Sequence, residues 1–243
     1  MAAPFARTLL GFRPDSRDPR PNISDKASNS SRALSEHILA SLGVPSSQVF
    51  PKRHNAGKRL EEAVAEHLAT ELPGLDDDRE WLVESGCSDI ATFAQYQHLL
   101  EVRTALRRDA ALRNAFSGEY EFQPDVTVAL DAQPPSLHAH ISCKWTLRSD
   151  RAQSVRQEAS LLINQRRGRS PHIVVVTAEP LPSRISSIAQ GTGDIDAVYH
   201  IAFNELRAAA ATSDYPDQEK TLEELISQRR LLDYNDLAPA LAV

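Results

Sequence analysis

The chain has 243 residues, of which 41% are hydrophobic, and carries a formal net charge of −6. A chain of this length can bury one good-sized core, so we expect a single domain over residues 1–243. No run of 18 apolar residues occurs, which excludes a membrane span, and the first residues have too short an apolar stretch for a signal peptide. The protein is therefore expected in the cytoplasm.

The cysteine content and the charge distribution indicate which kinds of ligand the protein binds. Cys87 and Cys143 have no Cys or His neighbours at zinc-ligand spacing, which argues against a structural zinc ion. The negative net charge argues against general adhesion to nucleic acid. From Lys144 to Arg169, however, seven basic residues face only two acids. An acidic body with one basic strip favours a protein that binds a particular DNA site.

We expect an extended N-terminal arm over residues 1–32. Residues 13–31 contain three Pro, five Ser and no apolar periodicity. One interpretation is a disordered leader, and the other is an arm that folds over a partner with Asp25 as the contact.

Residues 33–117 are expected to be mostly helical. Ser31 is a candidate cap for a short helix through Leu42. The next helix, within residues 51–74, has Leu60, Val64, Leu68 and Leu72 on one face, and Glu61 borders that face. Residues 79–85 and 88–116 are expected to form a helical pair that ends at Gly118.

Residues 118–243 are expected to form the α/β catalytic core. Strands are predicted at residues 119–130, 137–145, 171–178 and 194–201, and helices at residues 151–165, 202–211 and 217–232, with a loop and short helix at 180–190. This alternation predicts a mixed sheet flanked by helices.

Two neighbouring strands carry a possible nuclease signature. Pro124 lacks an N–H and could aim Asp125 out of the strand as a metal ligand, while Lys144 would place an ammonium beside the same phosphate. The backbone carbonyl of Cys143 could add an oxygen ligand. The usual pattern has an acid two residues before the Lys, and here that residue is Ser142, so Glu158 on the next helix is the best candidate carboxylate. The simpler alternative for Asp125 and Lys144 is a structural cross-strand ion pair.

The turn after Lys144 could read bases. Arg148 and Arg151 can each donate two hydrogen bonds to guanine, and Asp150 can accept from cytosine. Ser149 or Asp150 could cap the helix that starts there. The alternative is a capped helix start with a solvated salt bridge.

Residues 141–158, ISCKWTLRSDRAQSVRQE, resemble the corresponding segment of the NgoMIV-type type II restriction endonucleases, the CCGG-core group of the PD-(D/E)XK nucleases. The similarity continues through EPLPSRISSIAQGTGDIDAVYHI, residues 179–201. In that group the acid of the usual motif is displaced onto the next helix, as Ser142 and Glu158 indicate here. The resemblance implies a restriction-endonuclease-like fold with a central mixed five-stranded sheet.

The resemblance also implies roles for individual residues. The Mg²⁺ site would comprise Asp125, Cys143, Lys144 and Glu158, with Ser142 in its wall. Glu61, rather than Glu62, would join a second metal site, giving two Mg²⁺ per active site with Mn²⁺ as a possible substitute. The DNA readers would be Arg148, Asp150 and Arg151 for the inner CCGG, and Arg184 and Asp25 for the outer base pair.

These roles imply site-specific cleavage of double-stranded DNA at GCCGGC, after the first G, by a prokaryotic homotetramer of two primary dimers. A palindromic target requires at least a dimer. Two alternatives stay open at this point. One is a repair nuclease of the same fold, and the other is a site-specific DNA-binding protein with a degenerate nuclease fold.

Overall fold

The computed structural model describes residues 1–15, 19–51, 54–86, 89–115, 123–191 and 193–243. Cys87, Gly118 and the first part of the predicted strand 119–130 lie outside these residues. Within the described ranges, no helix is long and apolar enough to cross a membrane.

One mixed sheet organises the fold. Its strands lie in chain order, and β3, β4 and β5 pair antiparallel while β5 through β8 pair parallel. The strands are β3 (Trp81–Ser85), β4 (Val126–Leu130), β5 (Ser136–Lys144), β6 (His172–Thr177), β7 (Ala197–His200) and β8 (Leu231–Asp233). The predicted mixed sheet is therefore confirmed, with six strands instead of five. A separate hairpin pairs β1 (Phe12–Arg13) with β2 (Arg20–Pro21).

Helices cover both faces of the sheet. They are α1 (Ala6–Leu9), α2 (Asn29–Ser41), α3 (Ala56–Leu75), α4 (His98–Arg108), α5 (Ala110–Ala115), α6 (Ser149–Gln165), α7 (Pro182–Ala189), α8 (Phe203–Ala211), α9 (Pro216–Ser227) and α10 (Leu237–Leu241). Short 3₁₀ turns lie at Ile90–Thr92, Ala94–Tyr96 and Tyr234–Asp236. Because both faces are covered, every residue of β5 from Leu137 to Cys143 is buried.

Helix α3 confirms the predicted amphipathic pattern. Leu60, Val64, Leu68 and Leu72 are fully buried. The helix packs against β3, β4 and β5. Residues three to four apart share one face of a helix, so this apolar stripe fixes the rotation of α3 and the direction in which Glu61 projects.

Two predicted helices are partly wrong. Residues 81–85 form the edge strand β3, which pairs with β4 along its whole length. The helix predicted at 217–232 ends at Ser227, because Arg229 adopts a left-handed conformation with φ of 56° and returns the chain to the sheet as β8. In both cases, pairing with a strand distant in sequence determines the structure.

The predicted helix caps are also wrong. Ser28, not Ser31, caps α2, since the Ser28 hydroxyl accepts from the backbone N–H of Ser31 at 3.2 Å. The Ser31 hydroxyl instead accepts from the N–H of Asp25 at 2.9 Å. Helix α6 begins after Arg148 and has no side-chain cap, so neither Ser149 nor Asp150 has that role.

The N-terminal segment packs onto the rest of the chain. Ile23 is buried, and Asn22 donates to the carbonyl of Leu9 at 2.8 Å. The Trp145 indole donates to the carbonyl of Asn22 at 3.1 Å, which joins this segment to the end of β5. The interpretation as a disordered leader is therefore wrong for its described part.

Candidate functional site

The candidate site lies where the parallel strands end. Lys144 is the last residue of β5 and is in register with Thr177, the last residue of β6. Asp125 directly precedes β4, which runs antiparallel to β5, so both residues reach the same edge of the sheet. The carboxyl ends of parallel strands are the usual location for ligands in open α/β sheets.

Asp125 and Lys144 form the centre of the site. The Lys144 Nζ atom lies 2.6 Å from Asp125 Oδ2, and the backbone N–H of Cys143 donates to the same oxygen at 2.9 Å. Among the described residues, no donor reaches Asp125 Oδ1, which is left for an outside ligand. Burial lowers the pKa of Lys144, but Asp125 and Glu158 outweigh it and raise the pKa overall, so the ammonium stays charged. The cross-strand ion pair exists, and it faces an open cleft.

The Glu158 side chain extends from α6 back to the carboxyl-terminal part of β5, as predicted. Its Oε2 atom accepts from the hydroxyl of Ser142 at 2.9 Å, and its Oε1 atom accepts from the hydroxyl of Ser154 at 2.8 Å. His140 Nε2 lies 3.9 Å from the carboxylate, and burial lowers the pKa of His140 to about 4, so that imidazole is neutral. Ser142 thus occupies the position at which the usual motif has its acid, and its hydroxyl orients the Glu158 carboxylate.

The donors at this edge are mainly oxygens. The Cys143 thiol is buried, and burial raises its pKa well above the usual value, so Cys143 can offer its carbonyl and not a thiolate. No group of three or more His, Cys, Asp or Glu side chains in the described ranges is close enough to hold a metal ion. Any ion here would depend on one or two carboxylates, backbone oxygen, water and substrate phosphate, which is a common environment for Mg²⁺.

Glu61 projects from α3 toward the same cleft. Its Oε2 atom accepts from Lys58 at 3.2 Å, and 19% of its side chain is exposed. Glu62, one position further round the helix, is exposed and does not line the cleft. The structure therefore brings Glu61, and not Glu62, to the site.

The cleft has a volume of about 750 Å³. It brings together most of the predicted site residues, namely Asp25, Glu61, Asp125, Cys143, Lys144, Arg148, Arg151 and Arg184. Three predicted residues do not line it. Ser142 and Glu158 lie behind Lys144, and Asp150 is exposed on the first turn of α6.

Three of the five candidate base readers, Arg151, Arg184 and Asp25, are already held by groups of the same chain. Arg151 donates to the carbonyl and the hydroxyl of Thr146 at 3.0 and 3.2 Å. Arg184, on α7, forms an ion pair with Asp25 from the N-terminal segment. The hydrogen bond from Arg184 holds the pKa of Asp25 below its usual value, so this carboxyl is ionised. The segment carrying Asp25 therefore folds over its own chain.

Four further described residues lie in or next to the site and were not predicted from the sequence. Arg13 and Arg20 face each other across the β1–β2 hairpin and line the cleft. Thr177 and Glu179 lie at and just beyond the end of β6, and Thr177 donates to the carbonyl of Lys144 at 2.6 Å. The only sequence signal for Thr177 and Glu179 is that they follow a buried strand.

Glu179 is fully buried. Burial raises its pKa to about 7, although the backbone N–H of Leu147, Arg184 and the backbone N–H of Leu181 act in the opposite direction.

Comparisons with known proteins agree with this geometry. A model of the NgoMIV restriction enzyme family matches residues 14–133 and 129–243. The type II restriction enzyme NgoMIV of Neisseria gonorrhoeae is 41% identical in an alignment of 183 residues, and the match covers 64% of this chain and 64% of that protein.

Among solved structures, the chain is similar to the restriction endonuclease PspGI–substrate DNA complex. The identity is 12%, the likeness covers 88% of this chain and 92% of that one, and the TM-score of 0.32 is too low to carry a further conclusion. The family model, in contrast, matches nearly the whole sequence, and the matched range contains every candidate site residue. The chain belongs to the NgoMIV restriction enzyme family.

Proposed function

We propose that the protein is a type II restriction endonuclease that hydrolyses double-stranded DNA at one palindromic site. The observation that carries the proposal is the pairing of Asp125 with Lys144 at the sheet edge, with Glu158 behind them, in a cleft lined by arginines. Membership of the NgoMIV restriction enzyme family supports it. The matched region spans 64% of the NgoMIV sequence, so the activity of the whole relative is an inference for this chain.

The side chains provide what phosphodiester hydrolysis needs. A charged Lys144 stabilises the negative charge that develops on the phosphate in the transition state, or lowers the pKa of the attacking water. Cys143 N–H and Lys144 hold the Asp125 carboxylate in one orientation, and Ser142 with Ser154 holds Glu158. The arginines of the cleft offset the charge of the DNA backbone.

The donor set fits Mg²⁺. Asp125 Oδ1 accepts no hydrogen bond from the described residues, Glu158 is hydrogen-bonded to Ser142 on the same strand as Lys144, and the carbonyl of Cys143 is a further oxygen candidate. When bound, Mg²⁺ would supply Lewis-acid stabilisation of the phosphate. Glu61 would serve a second ion, and Mn²⁺ would substitute because it accepts the same oxygen ligands.

The proposed target is GCCGGC. Arg148, Asp150 and Arg151 would read the inner CCGG, and Arg184 with Asp25 would read the outer G·C pair. Arginine suits guanine, and a carboxylate suits the amino group of cytosine. Cleavage after the first G would leave 5′-phosphate ends with four-nucleotide 5′ overhangs.

A palindromic target implies a symmetric assembly. Each active site would cut one strand, so the enzyme needs at least two copies of the chain. We propose a homotetramer of two primary dimers.

The experiment is cleavage of two duplexes in Mg²⁺, one with GCCGGC and the other with its outer base pair exchanged. Cleavage of the first alone supports the proposal. Cleavage of both at CCGG keeps the enzyme and removes the outer-base roles of Arg184 and Asp25. Cutting at a lesion or junction, and not at a sequence, would favour a repair nuclease. Site-specific binding without cutting in Mg²⁺ or Mn²⁺ would favour a DNA-binding protein with a degenerate nuclease fold.

A further inference from the structure

Glu179 is a buried charge-bearing group that hydrolysis itself does not require. It lies two residues beyond β6, and none of its side chain is exposed. Burying a carboxylate is costly unless hydrogen bonds compensate it. Here Oε2 accepts from the backbone N–H of Leu147 at 2.7 Å, and Oε1 accepts from the backbone N–H of Leu181 at 3.1 Å.

These two amides belong to the segments that carry the candidate readers. Leu147 directly precedes Arg148 in the connection from β5 to α6. Leu181 is the N-cap residue of α7, which carries Arg184. One carboxylate therefore bridges two segments that are more than 30 residues apart in the chain. Its Oε1 atom also lies 3.9 Å from Arg184 Nη1, while Arg184 pairs through its other terminal nitrogen with Asp25.

Glu179 is also connected to β5, the strand that ends at Lys144. The backbone N–H of Glu179 donates to the hydroxyl of Thr177 at 3.1 Å, and that hydroxyl donates to the carbonyl of Lys144 at 2.6 Å. A continuous path of hydrogen bonds thus runs from Lys144 through Thr177 and Glu179. It ends at the segment that carries Arg148 and at the segment that carries Arg184. Nothing else in the described ranges bridges Leu147 and Leu181 through one side chain.

We infer that Glu179 is a positioning residue that holds the Arg148 and Arg184 segments in fixed relation to each other and to Lys144. The inference rests on the proposed function, because it assigns base reading to those two arginines. Glu179 touches neither DNA nor the reacting atoms in this role. It acts on sequence preference by fixing where the two guanidinium groups can reach.

The variant that isolates this role is Glu179→Gln. Glutamine has nearly the same size, but its amide has only one acceptor oxygen, so the N–H of Leu147 or of Leu181 loses its partner. The readout is the dissociation constant for the duplex with an exchanged outer pair divided by the dissociation constant for GCCGGC, measured in Ca²⁺ so that cleavage does not interfere. We expect this ratio to fall at least about tenfold, as loss of one buried hydrogen bond at a reading segment allows.

A matched control is Gln95→Ala. Gln95 is also buried and also bridges backbone groups, since it donates to the carbonyl of Leu137 and accepts from the N–H of Leu137 at the start of β5. It should lower the melting temperature and leave the binding ratio at the wild-type value. If Glu179→Gln does not fold, Glu179→Asp replaces it, because it keeps the charge and is one methylene too short to span both amides.

The outcomes distinguish the positioning role of Glu179 from the proposed nuclease function. A folded Glu179 variant with a reduced ratio supports the positioning role. A folded variant with the wild-type ratio, or an equal loss in Gln95→Ala, overturns it. If the wild type prefers GCCGGC in binding but never cuts in Mg²⁺, the nuclease function fails while the ratio still decides the role of Glu179. If the wild type binds both duplexes equally, the positioning role of Glu179 is overturned together with the outer-base roles of Arg184 and Asp25, while cleavage at CCGG in Mg²⁺ would still support the nuclease function.

Discussion

At the scale of single residues, Asp125 and Lys144 decide whether the site is catalytic. Their separation of 2.6 Å would also suit a structural ion pair. Two features favour catalysis. Each side chain keeps more than a tenth of its surface exposed to the cleft, and Asp125 Oδ1 accepts no hydrogen bond from the described residues. A purely structural pair would have no need of either feature.

Replacing Lys144 or Asp125 by Ala should separate cutting from binding. Loss of a charged group at the reacting phosphate is expected to slow cleavage by roughly 10²- to 10⁴-fold. Binding of GCCGGC should persist, because the readers lie on other residues. Gel-shift titration and single-turnover cleavage of the same duplex measure both quantities. Cleavage at the wild-type rate in either variant would reduce the pair to a structural ion pair.

Ser142→Ala should impair cleavage although Ser142 touches no substrate in this account. Its hydroxyl orients Glu158 at 2.9 Å from a buried position. Loss of such an orienting group typically costs roughly 10- to 100-fold in metal affinity or activity. Ser154 also contacts Glu158, but it is exposed, and water can replace its hydroxyl. Ser154→Ala is therefore the control, and equal effects of the two variants on the cleavage rate would argue against the orienting role of Ser142.

Glu179 also predicts a dependence of stability on pH. Its pKa rises from an ordinary 4.5 to about 7 in the folded protein, so between these values the folded state retains a proton that the unfolded state releases. Glu179 therefore lowers the free energy of unfolding as pH rises through this window, by at most about 3 kcal/mol. The charged or titratable groups around it are Arg184, Asp25 and His200.

Urea unfolding of the wild type and Glu179→Gln at pH 5 and pH 8 measures this effect. The wild type should lose stability relative to the variant on going from pH 5 to pH 8. A difference that is the same at both pH values would contradict the raised pKa of Glu179.

At the scale of elements, the β5–α6 unit joins chemistry to reading. Lys144 ends β5, Arg148 and Arg151 lie at the start of α6, and Glu158 returns from α6 to the strand end. In the proposed function, one strand and the helix that follows it would therefore carry both the base-reading and the catalytic residues. A displacement of α6 by bound DNA would move Glu158 together with the arginines.

Arg148→Ala and Arg151→Ala should each cost about 1–3 kcal/mol of discrimination between GCCGGC and a site with one inner pair exchanged. Arg156→Ala is the control on the same helix, because Arg156 donates to the carbonyls of Ser187 and Gln190 and does not line the main cleft. Competition binding with the two duplexes measures the discrimination. Full preference in the Arg148 or Arg151 variant would remove that residue from the reader set.

The sequence predicted some elements well and others poorly, for identifiable reasons. The long apolar runs of β5 and β6 and the apolar face of α3 are patterns of neighbouring residues. These elements could therefore be predicted from the sequence alone. The strands β3 and β8 pair with β4 and β7, which lie far away in the chain. Their local sequences are compatible with a helix, so the sequence pattern predicted helix at both places. The predicted caps of α2 and α6 are wrong because the Ser31 hydroxyl binds the N–H of Asp25 instead, and because α6 begins directly after Arg148 without a side-chain cap.

The site shows the same division. The spacing of Asp125 and Lys144 and the resemblance of residues 142–158 predict that these two side chains and Glu158 lie at one end of the strands, where the structure places them, while their catalytic roles stay predictions. Glu179 could not be recognised, because its role depends on two backbone amides that only the folded chain brings together.

At the scale of the whole molecule, charge is concentrated where the proposed DNA would lie. The protein has a net charge of −6, yet the described residues that line the cleft include five arginines, which are Arg13, Arg20, Arg148, Arg151 and Arg184. An acidic body limits non-specific adhesion to nucleic acid, while a basic cleft attracts the backbone at one place. The N-terminal hairpin adds two of these arginines, so the segment expected to be an extended arm instead completes the cleft.

The central claim is sequence-specific cleavage, and digestion of an unmethylated plasmid of known sequence in Mg²⁺ tests it most directly. Sequencing of the fragment ends identifies both the site and the cut position. We expect discrete fragments that all end at GCCGGC, with 5′ overhangs of four nucleotides. A smear, or intact plasmid in both Mg²⁺ and Mn²⁺, would contradict it.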